Sequence, residues 1–191
     1  ALALGTRNYL SLWQDNEVFT RHMLRGAPDA PSLRVAMGHI FLKKGKPAEA
    51  ANEFSVAVEQ GPWFVGARLN LAWAMLELGR AKEAETIVRV AVEKKPTAPE
   101  VHTYLGMCLE AQGRLDEALV EHEAALSLRT FDYRTYYNLA TVLAKMGRGQ
   151  DAIARFQESL SIRPDHPGTL QNIGLTLFQM GRADEAIPLF E

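Results

Sequence analysis

His102, His122, the lone Cys108 and the acidic pairs Asp116-Glu117 and Asp184-Glu185 are the side chains here with the most reactive chemistry to offer. Two histidines suggest a metal, but zinc takes three or four ligands with outer-shell support, and no cluster with metal-ligand spacing accompanies them. The better reading is a pair of partly buried, hydrogen-bonded imidazoles sharing one interface. Stability should then fall on acidification below about pH 6, because buried neutral imidazoles would have to charge. The acidic pairs fall at predicted helix starts, where they favour the helix dipole. No glycine-rich phosphate loop or nucleophile elbow is present. Neither catalysis nor a cofactor is expected. Cys108, between Met107 and Leu109, has no second cysteine to pair with and reads as a small buried hydrophobe.

The elements that carry these residues are clearest between Tyr133 and Pro164. Apolar residues spaced i, i+3, i+4 and i+7 predict one helix over Tyr133–Met146 and a second over Gln150–Ile162, with a break at Gly147-Arg148-Gly149. Tyr136 and Phe156 can meet between the two helices, and the small Ala140 and Ala152 sit where the backbones approach. Such a hairpin cannot bury its apolar face alone. Copies of it start at Pro31, Val65, Pro99, Tyr133 and Pro167, a strict period of 34 residues. In register with Leu139 lie Met37, Leu71, Leu105 and Ile173; beside them the small residue is Gly38, Ala72, Gly106, Ala140 or Gly174. The turn reads Gly45-Lys46, Gly79-Arg80, Gly113-Arg114, Gly147-Arg148 and Gly181-Arg182, followed by Ala50, Ala84, Ala118, Ala152 and Ala186. Pro62, Pro96 and Pro164 close the units, with Thr130 the exception.

This spacing and small/large alternation, from Pro31 to Glu191, resembles the tetratricopeptide repeat. The resemblance implies an all-α, right-handed superhelical solenoid of antiparallel helix pairs, with repeats at 31–64, 65–98, 99–132, 133–166 and a truncated 167–191. It also implies that the first helix of each repeat lines a concave groove that binds protein. His102 and His122 occupy the two positions where the family packs large aromatics. Position six of each first helix is Ala36, Asn70, Tyr104, Asn138 or Asn172. Three primary amides on one wall can donate to and accept from the backbone of an extended peptide. They resemble the asparagine ladder in the tetratricopeptide domain of O-linked N-acetylglucosamine transferase, interrupted by Ala36 and Tyr104.

Other groove positions supply His39 and Leu42, Trp73 and Leu76, Met107, Tyr137, and Leu175 and Phe178. Aromatic and methionine side chains are what partner-binding surfaces enrich, although Leu42 and Leu76 are expected to pack between repeats. The peptide-binding set is therefore His39, Asn70, Trp73, Tyr104, Met107, Tyr137, Asn138 and Asn172. Positions five (Val35, Leu69, Thr103, Tyr137, Gln171) and nine (His39, Trp73, Met107, Thr141, Leu175) carry no lysine or arginine, so the family's clamp for a C-terminal carboxylate is missing.

A formal charge of −2 on 191 residues, 47 % of them hydrophobic, describes ordinary globular material without the basic excess that drives nucleic-acid binding. No apolar run is long enough to span a membrane. Alternating charges such as Arg80-Ala-Lys82-Glu83-Ala-Glu85 mark a solvated second-helix face. Residues 1–30 follow the repeat phase poorly. They read as a capping segment with a helix from Glu17 to Leu24, capped by Asp15 or Asn16 and stopped at Gly26-Ala-Pro28. Arg7, Trp13-Gln14-Asp15, Phe19, Leu24 and Pro28 also resemble, more faintly, the junction before the tetratricopeptide tail of polytopic membrane glycosyltransferases, with Ala1–Leu4 as the end of a membrane helix. The last repeat stops in its second helix at Phe190-Glu191, with Pro188 near that helix's start, so self-association through an uncapped end is a further expectation. The function expected is a protein-interaction scaffold that binds an extended peptide or partner segment. The alternative is a substrate-presenting accessory domain of a larger glycosyltransferase-type enzyme.

Overall fold

A computed structural model describes residues 16–128 and 132–189, and all the regular structure among them is helical. In chain order the helices are α1 (Asn16–Gly26), α2 (Pro31–Lys43), α3 (Pro47–Gln60), α4 (Val65–Glu77), α5 (Ala81–Lys94) and α6 (Pro99–Ala111), then α7 (Leu115–Leu128), α8 (Tyr133–Lys145), α9 (Gly149–Ile162), α10 (Pro167–Gln179) and α11 (Ala183–Ala186). The two helices predicted after Tyr133 are α8 and α9, each within a residue of its expected bounds. The N-terminal helix runs slightly beyond Glu17–Leu24 at both ends. The Asp15 cap, Ala1–Leu4, Arg7, Trp13, Thr130 and Phe190-Glu191 lie outside the described residues.

Local chemistry explains the boundaries. Proline stands at the first position of α2, α3, α6 and α10, where its missing N–H would have had no helical partner. Helix α8 is capped instead by the Asp132 carboxylate, which accepts from the Arg134 backbone N–H at 3.1 Å. Each turn inside a repeat has its glycine (45, 79, 113, 147 or 181) in the left-handed region, with φ between 68° and 77°. The next residue then returns its N–H to the carbonyl five residues back, as Arg80 does to Met75 at 2.9 Å and Arg148 to Leu143 at 2.9 Å. That residue's side chain also pairs with an acid three positions on: Arg80–Glu83 at 2.6 Å, Arg114–Glu117 at 2.6 Å, Arg148–Asp151 at 2.8 Å and Arg182–Glu185 at 2.7 Å. These pairs are exposed enough to add little stability each, but they recur at the same place in the turn.

The chain forms two compact units, Ala1–Lys94 and Lys95–Glu191. In the first, α2 with α3 and α4 with α5 are antiparallel hairpins. Phe54 is fully buried among Ala50, Ala51, Leu71 and Ala74. Its ring fills the space where Gly38 has no side chain, since a Cβ there would lie 2.4 Å from Phe54 Cε1. Helix α1 docks on this unit through Glu17, which pairs with Lys44 and with Arg21. The Lys44 hydrogen bond, then that of Arg21, holds the Glu17 carboxyl down at about 2.

In the second unit the hairpins are α6 with α7 and α8 with α9, followed by α10. Phe156 anchors a core with Leu139, Ala140, Leu143, Ala152, Ile153 and Ile173. The equivalent ring in the preceding hairpin is His122, 0 % exposed, against Gly106, where a Cβ would lie 2.6 Å from its Cε1. Cys108 is buried on α6.

Two expectations need correction. The histidines are not alike. His102 is half-buried and bonded to Glu121 at 2.7 Å and to the Pro96 carbonyl at 2.8 Å, whereas neither ring nitrogen of His122 has a hydrogen-bond partner. The reason is position: His102 lies at the hairpin edge beside a carboxylate and a free carbonyl, and His122 points into the side-chain interior. The last second helix also does not run on through Pro188. It stops at Ala186 and tightens into a 3₁₀ turn over Ile187–Leu189, because proline has no N–H to return and its ring crowds the preceding turn.

Burial pushes the His122 imidazole down from 6.5 to about 4. A depressed folded-state pKa means its stabilising contribution is complete above pH 6.5 and lost as the pH falls towards 4. For His102 burial pulls downward but the bonds to Glu121 and Pro96 outweigh it, so its pKa is raised. Its contribution runs the other way, present in acid and lost as the pH rises. His122→Phe, which restores the residue type of Phe54 and Phe156, should therefore gain on the parent by about 3 kcal/mol between pH 6.5 and 4 in urea unfolding; a gap independent of pH would contradict this. Ala118 is 0 % exposed between α6 and α7, and Ala118→Leu should cost about 1–3 kcal/mol in the same assay.

Candidate functional site

The first helices use one side for packing, which leaves position six and much of positions five and nine towards the other, although Val35 and Leu69 at position five pack inward. In the first unit these bring together His39, Asn70 and Trp73. The His39 ring stands edge-on to Phe54 at 5.4 Å. Its Nε2 lies 3.3 Å from Asn70 Nδ2, so the neutral ring accepts from that amide. Trp73 is half-buried one turn further along α4. Leu42, expected to pack between repeats, lies against the Phe54 core, which includes Leu71 and Ala74 of the next repeat.

The second unit holds the other five residues. Tyr137 OH accepts from Asn172 Nδ2 at 3.0 Å, and the Tyr137 ring leans on Phe156 at 5.9 Å and meets His166 edge-on at 5.4 Å. Asn138 is half-buried. Burial raises the Tyr104 phenol pKa, with the nearby Arg134 guanidinium pulling it the other way. Met107 is half-buried one turn beyond Tyr104. The cations on these helices are already engaged: Arg134 by Asp132 at 3.1 Å and Lys145 by Glu110 at 2.8 Å.

Two of the three asparagines thus share a geometry. Asn70 and Asn172 each bond back to a groove-position residue of the preceding repeat, His39 or Tyr137. One N–H is consumed, while Oδ1 and the second N–H remain for a ligand. The predicted residues fall in two sets, three in one unit and five in the other. Among the described residues, no three His, Cys, Asp or Glu side chains gather as a metal site would require. The set can bind and orient a partner.

Sequence reasoning missed the cluster beside Tyr137. Arg163 lies 5.0 Å over the Tyr133 ring and donates to its hydroxyl at 2.7 Å. His166 stacks at 5.0 Å on Tyr133 and pairs through Nδ1 with Thr169 Oγ1 at 2.7 Å. Both Arg163 and His166 sit in the α9–α10 connection, outside any helical register. The usable signal was His166-Pro167, since a residue before proline is held extended and its side chain set across the helix start. Trp63, 74 % exposed in the α3–α4 connection, was also passed over. So was a cleft of about 460 Å³ between α7 and α9, floored by Leu126, Leu139 and Leu143; none of the eight predicted residues lines it.

Family models described as tetratricopeptide repeat match residues 41–108, 91–132 and 132–191. Among solved structures, TTC0263, a thermophilic TPR protein of Thermus thermophilus, superposes with a TM-score of 0.78 at 21 % identity, covering 93 % of this chain and 97 % of its own. A MamA structure matches with a TM-score of 0.63 at 25 % identity, covering 81 % of this chain and 90 % of that one. The chain also fits a part of the APC/C hetero-tetramer Cut9-Hcn1, with a TM-score of 0.80 at 20 % identity over 89 % of this chain but 35 % of that one. No curated protein matches the sequence.

Tyr137→Phe removes the acceptor of Asn172 and nothing else of its packing. It should cost about 0.5–1.5 kcal/mol in chemical unfolding and displace the Asn172 side-chain amide signals in a nitrogen–proton correlation spectrum. Unmoved amide signals would mean that the bond is not kept in solution.

Proposed function

This chain belongs to the tetratricopeptide-repeat family, and from that premise we propose that it is a scaffold whose first-helix surfaces bind an extended peptide or partner segment. The family is one of protein-interaction scaffolds, and that general role is the chain's. The peptide mode rests on one observation: the position-six amides of Asn70 and Asn172 are held by the preceding repeat, with a donor and an acceptor to spare. Such an amide is oriented before the ligand arrives, so less ordering entropy is lost on binding. Asn138, half-buried on α8, adds a third position-six amide. Each bond contributes about 0.5–1.5 kcal/mol net, so the amides act together and read backbone rather than side-chain identity. Selectivity comes from the rings and thioether beside them: the exposed His39 and half-buried Trp73 in the first unit, and the half-buried Tyr104, Met107 and Tyr137 in the second. A carboxylate clamp is not part of this reading, since positions five and nine have no lysine or arginine.

Affinity capture from source lysate with the parent chain and with Asn70→Ala, Asn138→Ala, Asn172→Ala together tests it. The expected result is a partner captured by the parent and weakened at least about tenfold in the triple variant, with helicity unchanged. Equal capture by both would move binding off the asparagines. A second copy of the chain as the captured species would instead indicate self-association through the exposed Leu175, Phe178 and Ile187 surface.

A further inference from the structure

We propose that His122, Glu110 and Lys145 form an acid-operated relay: protonating His122 draws Glu110 away from Lys145 and releases the tie between α6 and α8. Its consequence for binding rests on the reading above, because those helices carry Tyr104, Met107, Tyr137 and Asn138.

Two departures from the apolar repeat pattern coincide at this place, beside a lysine. The second-helix ring position is Phe54, Val88, Phe156 or Phe190 elsewhere in the sequence and His122 here. Position twelve of the first helix is Leu42, Leu76, Ala144 or Phe178 elsewhere and Glu110 here. Position thirteen of the first helices is Lys43, Glu77, Ala111, Lys145 or Gln179, mostly polar, so Lys145 is an ordinary residue there that meets an unusual partner. Packing alone asks for neither His122 nor Glu110.

Their geometry is that of one carboxylate between two cations, only one of which is charged at neutral pH. Glu110 Oε1 holds Lys145 Nζ at 2.8 Å. Its other oxygen, Oε2, stands 4.0 Å from His122 Nε2, beyond hydrogen-bond range. His122 is wholly buried with both ring nitrogens unpaired, while the Lys145 side chain is 53 % exposed. The other charged groups nearby are committed elsewhere. On α6, His102 is taken by Glu121 and the Pro96 carbonyl. On α7 itself, Glu121 faces His102 and Glu123 faces solvent. On α8, Lys145 enters through Glu110 alone.

A proton taken from water onto the imidazole places a full charge in the hairpin interior, which is costly unless an anion closes on it. Glu110 is the nearest anion, and in that low-dielectric setting its bond to the imidazolium outweighs its bond to the half-exposed lysine. Lys145 then turns to water at little cost. The link from the end of α6 to the end of α8 is lost.

Nuclear magnetic resonance on the full chain, titrated from pH 7.5 towards pH 4 without any partner, tests the relay. The expected result is that the Glu110 carboxyl carbon and the Lys145 Nζ signals move with the same midpoint as the His122 ring, followed by the Tyr104 and Tyr137 rings. His122→Phe should abolish that shared step, and Lys145→Met should raise the His122 midpoint by roughly half a unit or more by freeing the carboxylate. Glu110 and Lys145 unmoved while His122 titrates, or cooperative unfolding before it titrates, would overturn the relay. Both moving with the tyrosine rings unchanged would overturn the regulatory half. Neither result touches the asparagine reading, which stands or falls on the capture experiment.

Discussion

The structure depends on a bulky second-helix side chain seated where the first helix has almost none. Phe54 on Gly38, His122 on Gly106 and Phe156 on Ala140 are the same contact repeated. Interiors pack at the density of organic crystals, so a methyl group more or less at either partner is felt at once. Around this contact Ala50, Ala84, Ala118, Ala152 and Ala186 are all essentially without exposure. The helices can therefore approach closely, and the turn glycines with positive φ set the angle at which they do. A hairpin built this way still exposes apolar surface, which the next hairpin in its unit covers.

That division of labour decides where polar chemistry can stand. One side of each first helix is spent on the seated ring and its neighbours, so the amides and aromatics at positions five, six and nine are left for a partner. They are not left loose. A half-buried amide loses water and needs partners of its own, and Asn70 and Asn172 find one each in His39 and Tyr137. The hydroxyls of Thr141 and Thr176 bond back to the carbonyls of Tyr137 and Asn172, which helps hold the first-helix surface of the second unit in place. The place where this economy is broken is His122, a polar ring in the seat of a phenylalanine with no bond to either nitrogen.

The hairpins were legible because they are local. Helix ends follow from prolines, from Asp132 and from glycines that only one backbone conformation suits. The 34-residue phase places every seated ring without reference to the rest of the chain. The binding positions were legible by register, since position six is position six wherever the hairpin lies. Less was visible where connections or contacts cross between hairpins. Tyr133, Arg163 and His166 come together only because α8, the end of α9 and the α9–α10 connection converge. Distance from the helix start alone makes Pro188 look tolerable, and the 3₁₀ turn over Ile187–Leu189 shows that the cost falls on the turn before it.

By itself the sequence determined the helix pairs, their order, the seated contact within each and the family to which the chain belongs, because all of these are set by neighbours within one repeat. Only the tertiary structure decided which polar groups are paired. It set Asn172 against Tyr137, gave His102 a carboxylate while leaving His122 without one, and put Glu110 between Lys145 and an imidazole it does not reach. Hydrogen bonds and ion pairs act over a few ångströms and depend on rotamers that no register specifies. Their partners are fixed only once the helices have packed.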